Sequence, residues 1–277
     1  RGWSVVGSTF VGSNTYLNPG VDGNDGSIVG CIFDFGTLIT QGADNLKIVA
    51  SQFQNVTFSG NGGSVKLASG INYTIVGSSF VGYNLTITDL YRGRGVFIAF
   101  NNFNEGSNLV VQVRDGYSLD SLTIIGNIFS SIPTHGCVIF IAGSPKPGNS
   151  TIDFTGLIKM VYITFNTFQN SATSSGSIYG YQLSESSRIR SEAYINLAIG
   201  IKYMYIAFNY FEDNYGMRDN STGKLIGVLS IQQLGSSQVD ITNLMIFFNV
   251  NENNPIYVPT SQSYTSGFNI GLTNTVS

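Results

Sequence analysis

Four acidic residues make the best case for chemistry in this chain: Glu212, Asp213 and Asp219 in one stretch, and Glu252 one repeat later. Two carboxylates facing each other across about 5–10 Å can cleave a glycosidic bond. Ordinary loop solubility accounts for the same four residues, and that reading is preferred. His135 is the only histidine, in the Pro-containing stretch Ile132-Pro133-Thr134-His135-Gly136. A Ser-His-Asp triad would need it as the base, but no Gly-x-Ser-x-Gly elbow is present. It reads as a solvated loop residue. Asp22-Gly23-Asn24-Asp25-Gly26 is rich in oxygen ligands. It lacks one spacer and the distant Glu of a calcium loop, so it reads as a bare turn. The sequence therefore assigns no catalytic residue, no metal ligand and no cofactor.

The elements that would position any such group are written far more clearly. A short phrase returns along the chain: a few β-branched or apolar residues, then Ser or Asn, a spacer, then Phe. Ile48-Val49-Ala50-Ser51-Gln52-Phe53, Ile98-Ala99-Phe100-Asn101-Asn102-Phe103 and Ile206-Ala207-Phe208-Asn209-Tyr210-Phe211 are three of eight occurrences. A recurring strand-plus-turn phrase marks a solenoid, in which each repeat stacks on the last. Further β-rich runs follow the phrase, as at Ser27–Phe35, Ser64–Ala68, Leu85–Leu90, Leu109–Val113 and Phe268–Leu272. In the wider repeats another run precedes it, as at Thr37–Thr40 and Ala193–Leu197. These runs favour strands. The expected fold is all-β: a single-stranded parallel β-helix of about eight coils, each of three short strands, with loops at the corners. Residues 1–277 form one domain.

Within that fold the repeated Ser or Asn acquires a role. Ser8, Ser51, Ser78, Asn101, Asn127, Asn166, Asn209 and Asn249 would stack in register at one corner. Asn side chains would hydrogen-bond along the axis, and Asn tolerates the left-handed bend that a corner needs. The Phe two residues later would stack inside. Both columns read as structural. Cys31 follows the first phrase and Cys137 the fifth, so four rungs of about 4.8 Å would hold them too far apart for a disulfide. Both read as buried free thiols.

Composition narrows the function. Charged residues make up 10% of the 277, with a net charge of −3, against about 25% charged in ordinary domains. No basic run exists, so phosphate-driven nucleic-acid binding is excluded. No apolar run reaches the roughly 18–20 residues needed to span a bilayer as a helix. Aromatic residues are abundant at 13%. Asn-x-Ser/Thr sequons occur at Asn55, Asn72, Asn84, Asn149 and Asn220; their number is what the composition gives by chance. Asn149 and Asn220 fall in expected loops and are the candidate glycosylation sites.

The phrase φ-x-φ-x-x-Asn-x-Phe, as in Val161-Tyr162-Ile163-Thr164-Phe165-Asn166-Thr167-Phe168, resembles the repeat of the right-handed parallel β-helix (pectate-lyase-like) superfamily over nearly the whole chain. The resemblance is specific for architecture. That group spans polysaccharide lyases and hydrolases, virus tailspikes, adhesins and structural surface proteins. Its pectin hydrolases use an Asn-Thr-Asp segment, a paired Asp-Asp, a Gly-His-Gly and an Arg-x-Lys. Thr134-His135-Gly136, Glu212-Asp213 and Arg188-Ile189-Arg190 match these only in part, in a different order and spacing. The expectation is a secreted, non-enzymatic structural protein at the extracellular or cell/virion surface, a subunit of a filament, fibre or surface layer. No capping segment is written at either end, which suits pairing between copies. Its partners would be other copies of itself. The alternative is a polysaccharide-binding or polysaccharide-cleaving protein of the tailspike or adhesin kind, with glycans as partners.

Overall fold

The structure is a computed structural model. It describes residues 2–12, 15–17, 25–34, 36–41, 44–54, 64–68, 72–82, 84–90, 93–104, 107, 109–114, 116–130, 139–144, 157–169, 193–211, 227–231, 241–251 and 268–269. These residues are all-β, with no helix among them. The strands form three parallel sheets of ten, nine and eight strands, and the chain visits the sheets in turn. Each strand therefore pairs with strands from the preceding and following passes, not with its neighbour in sequence. The result is a solenoid-like winding with apolar columns inside.

The repeated phrase is split between two sheets. Its apolar part lies in the first sheet and its Phe in the second, as in Leu46–Val49 and Gln52–Gln54. The turn between them holds the Ser or Asn. Alternation in the residues leading to the turn drives this arrangement: in Leu46–Val49 and Tyr73–Val76 every second residue is buried and the others are turned outward. Ile28, Ile48, Ile75, Ile98, Ile124, Ile163, Ile206 and Ile246 occupy one register of the first sheet, all buried. In the second sheet Phe10, Phe33, Phe53, Phe80, Phe103, Phe129, Phe168 and Phe211 stack with ring centroids 4.6–5.1 Å apart. From Phe53 to Phe211 they are almost wholly buried. Each such ring contributes about 1.5–3 kcal/mol by leaving water.

Three expectations from the sequence are corrected. The run Ser27–Phe35 is not one strand. It divides into Gly26–Val29 in the first sheet and Ile32–Asp34 in the second, with Phe33 stacked between Phe10 and Phe53. This is another pass of the repeat, concealed because Cys31 stands where Ser or Asn stands elsewhere. Phe268–Asn269 joins the first sheet beside Ile241–Phe247, not the sheet of the runs with which it was grouped. Conversely, Thr37–Gln41 and Ala193–Ala198 share the third sheet with Ser64–Ala68 and Leu109–Arg114. Runs before and after the phrase are thus the same strand position, separated from it by different numbers of residues.

Candidate functional site

The interior corner column is built first, because it fixes everything outside it. Asn101 donates from both its backbone N–H and Nδ2 to Oδ1 of Asn127, at 2.9 and 3.0 Å. Asn127 does the same to Asn166, Asn166 to Asn209, and Asn209 to Asn249, at 2.9–3.0 Å. The second Nδ2 hydrogen goes back to an Ile carbonyl of the preceding pass: Ile75, Ile98, Ile124, Ile163 and Ile206 accept in order. In Asn127, Asn166 and Asn209 both amide hydrogens and the amide oxygen are engaged, which is what burial at 0–1% exposure demands.

Toward the N-terminal end the same column is made differently. Ser78 N–H donates to Asn101 Oδ1 at 2.9 Å, Ser51 N–H to Ser78 Oγ at 3.2 Å, and Cys31 N–H to Ser51 Oγ at 3.2 Å. Each Ser hydroxyl then donates to a carbonyl two residues back, at 3.2 Å in Ser8, 3.1 Å in Ser51 and 3.3 Å in Ser78. Cys31 is buried with a free thiol. Cys137 lies outside the described residues.

The left-handed bend falls one residue before the column, not on it. Gly7, Gly30, Gly77 and Gly126 have φ of 58–66°, and Ala50, Phe100, Phe165, Phe208 and Phe248 have φ of 49–57°. The Ser and Asn side chains are needed inward for the column, so the backbone turns immediately before them. At four of these bends an L-residue with a large side chain takes a conformation that costs about 1–2 kcal/mol. All four phenylalanines are exposed, Phe100 at 65%, Phe165 at 58%, Phe208 at 45% and Phe248 at 55%.

These residues form an outer ridge at the junction of the first and second sheets. Phe165 and Phe208 stack at 4.9 Å, and Phe208 and Phe248 at 5.3 Å, with interplanar angles of 8° and 16°. Phe100 is set apart. Its ring covers Gly126, lying 2.7 Å from where a Cβ would stand. On the adjoining face of the first sheet Tyr162 stacks on Tyr205 at 5.0 Å, with Met160 and Tyr203 beside them in register. Lys159 pairs with Asp120 at 2.6 Å and the Lys202 ammonium sits 5.4 Å from the Tyr203 ring. The ridge was hidden in the sequence behind the Asn–Phe repeat. The signal was the residue before each Ser or Asn, which is Gly, Ala or Phe.

The opposite end of the same sheet is polar. Asn45 Nδ2 donates to Asp25 Oδ1 at 2.8 Å, and Asn72 Nδ2 to Asn45 Oδ1 at 2.7 Å. Asn72 Oδ1 accepts from the backbone N–H groups of Arg94 and Gly95 at 3.0 and 3.2 Å. This second Asn column borders an open cleft of about 700 Å³, lined among others by Trp3, Ser27, Lys47 and Thr74. Asp25, read from the sequence as part of a turn, here anchors the column. The Trp3 indole lies over Gly26, leaving no room there for a Cβ.

Of the chemistry-bearing residues read from the sequence, Glu212, Asp213, Asp219, Glu252, His135, Asp22 and Asn24 lie outside the described residues, as do the candidate acceptors Asn149 and Asn220. Among the described residues no cluster of His, Cys, Asp or Glu is arranged to hold a metal, and no helix is long and apolar enough to cross a membrane. No family model, curated protein or solved structure matches the chain.

Proposed function

We propose that the chain is a right-handed parallel β-helix with a non-enzymatic structural role, a secreted subunit of an extracellular filament, fibre or surface layer. The observation that carries this reading is the use made of the repeated side chains. Asn101 to Asn249, Phe10 to Phe211 and the Ile column are engaged with their own equivalents one pass away. Such columns make a stiff rod, not a shaped cavity. The low charge of the chain supports association, since little repulsion opposes packing between copies. Negative-stain microscopy of the full chain at high concentration tests the reading. Fibres or sheets of constant width are expected; dispersed particles that turn over a polysaccharide would overturn it.

A second reading is favoured by one feature, the polar cleft beside Asp25, Asn45 and Asn72. Its mixture of amide, hydroxyl, Lys47 ammonium and Trp3 indole groups suits the hydroxyls and apolar faces of a sugar. In that reading the protein binds a polysaccharide along the N-terminal part of the first sheet. A glycan array followed by Lys47→Ala and Thr74→Ala variants distinguishes it, since binding lost in those variants places the ligand in the cleft.

A further inference from the structure

We infer that the ridge of Phe165, Phe208 and Phe248, with Met160 and Tyr203 farther along the same outer face past the Tyr162–Tyr205 stack and Val250 beside it, packs side by side against the same surface of a second copy. This deepens the structural reading by naming the partner surface.

The backbone is the first argument. These three phenylalanines sit at φ of 57°, 56° and 51°, where Gly7, Gly30 and Gly77 serve the same bend elsewhere without strain. Strained positions persist where the surroundings over-determine them and where the side chain has a use. The rings meet one another and Phe247, yet about half of each stays exposed. Contiguous exposed apolar surface of this kind marks an interaction site.

Ring orientation then selects the partner. Because the rings stack on one another at 4.9 and 5.3 Å, their faces are covered and solvent meets a row of edges. A sugar packs its apolar face on an open ring face, and the column offers one only at its ends. Ring edges carry the positive part of the aromatic quadrupole and favour the faces or gaps of other apolar groups. A row repeating at about the strand spacing fits best against a surface of the same period. A second copy of this chain presents that period, and an arrangement about a two-fold axis lets each ridge fill the grooves beside the other.

The area is also of the right order. The six residues are exposed at 58, 45, 55, 38, 36 and 42% respectively. With about 200 Å² for a large side chain, they offer roughly 550 Å² per copy, or about 1,100 Å² for the pair, near the lower limit for a specific interface. A reversible dimer follows. On the adjoining face Lys159 is paired with Asp120 and the Lys202 ammonium lies against the Tyr203 ring.

The test is sedimentation velocity of the full chain from about 1 to about 200 µM, a range that brackets micromolar affinity. A concentration-dependent dimer is expected. Phe208→Gly, which removes the ring and the backbone strain together, should weaken it about tenfold or more while far-UV circular dichroism is unchanged. Val11→Ser, at an exposed valine outside the ridge, should leave the dimer intact. A chain monomeric throughout the range overturns the inference, as does a dimer indifferent to Phe208→Gly. Oligosaccharide binding that depends on Phe208 overturns it too, by assigning the ridge to a glycan. The two proposals fail separately. Fibres whose formation ignores Phe208 retain the structural role and remove the ridge; a Phe208-dependent dimer that forms no fibre does the reverse.

Discussion

One interior column runs past Ser51 and Ser78 and then past Asn127, Asn166 and Asn209, and the two stretches hold the chain by different means. A Ser hydroxyl accepts one backbone N–H and returns its proton to its own pass, so passes are joined by backbone-to-side-chain bonds of 3.2 Å. An Asn amide accepts two bonds from the preceding pass and donates to both neighbours, at 2.8–3.0 Å. The outside differs in parallel. Gly30, Ala50 and Gly77 make the bend in the Ser stretch, whereas Phe100, Phe165, Phe208 and Phe248 make it before four of the five Asn residues, Gly126 before Asn127 being the exception. The better-tied column coexists with the more strained bend. Four side-chain bonds at an Asn corner leave more to hold a left-handed phenylalanine than the two at a Ser corner, where the one left-handed non-glycine residue is the small Ala50.

The largest way to break the comparison is Asn166→Ala. It removes the acceptor for Asn127 N–H and Nδ2 and the donor to Ile124 and Asn209. Buried groups on both sides lose their partners, at a cost of about 3–5 kcal/mol. Urea denaturation should show a markedly lower midpoint, and Asn166→Ser should recover part of it. A loss under about 1 kcal/mol for Asn166→Ala would show that the column adds nothing beyond the sheets. In the other stretch Ser51→Ala should cost only about 1–2 kcal/mol, because one N–H, that of Cys31, and one carbonyl lose a partner. Equal losses at Ser51 and Asn166 would erase the difference argued here.

Much of this architecture was legible in the sequence because a column needs the same residue type at each pass. The Phe and Asn positions announce themselves by repetition, and β-branched alternation announces the strands around them. The pass through Cys31 was not legible, since a thiol replaced the expected hydroxyl and made Ser27 to Phe35 look like one continuous strand. The position of the bend was misassigned for a related reason. Asn is the residue type that tolerates φ above zero, so it attracted the assignment, while the backbone in fact turns at the preceding Phe. The outer ridge escaped because an exposed phenylalanine beside a buried one looks, in sequence, like more core. The polar column of Asp25, Asn45 and Asn72 keeps the spacing of the repeat, 20 and 27 residues, each member three positions before a buried Ile; it escaped because the residue type changes from Asp to Asn and the series ends at Gly95.

A smaller effect separates two of the four glycine bends. At Gly77 a Cβ would meet nothing within 4 Å, so Gly77→Ala should cost only the left-handed backbone term, about 1 kcal/mol. At Gly126 the Cβ would fall 2.7 Å from the Phe100 ring. Gly126→Ala should therefore cost more than Gly77→Ala, and the excess should vanish when Phe100 is also replaced by Gly. An excess that survives in the double variant would locate the strain elsewhere.

The smallest expected change separates strain from stacking. Ala50 has φ of 49° and a side chain too small to stack, so Ala50→Gly removes strain alone and should stabilise by about 0.5–1 kcal/mol. Phe208 has φ of 56° and stacks on both Phe165 and Phe248. Phe208→Gly relieves a similar strain but forfeits three ring contacts, the two stacks and an edge contact with Phe247, worth about 0.5–1.5 kcal/mol each, so its net effect should be unfavourable. Phe208→Ala keeps the strain and loses the contacts, and should be the less stable of the two by about 1 kcal/mol. The three variants should be compared at low protein concentration, where association does not contribute. If Ala50→Gly and Phe208→Gly stabilise equally, the stacked rings add nothing to the folded monomer. Their exposure would then have to be explained wholly by what they contact outside it.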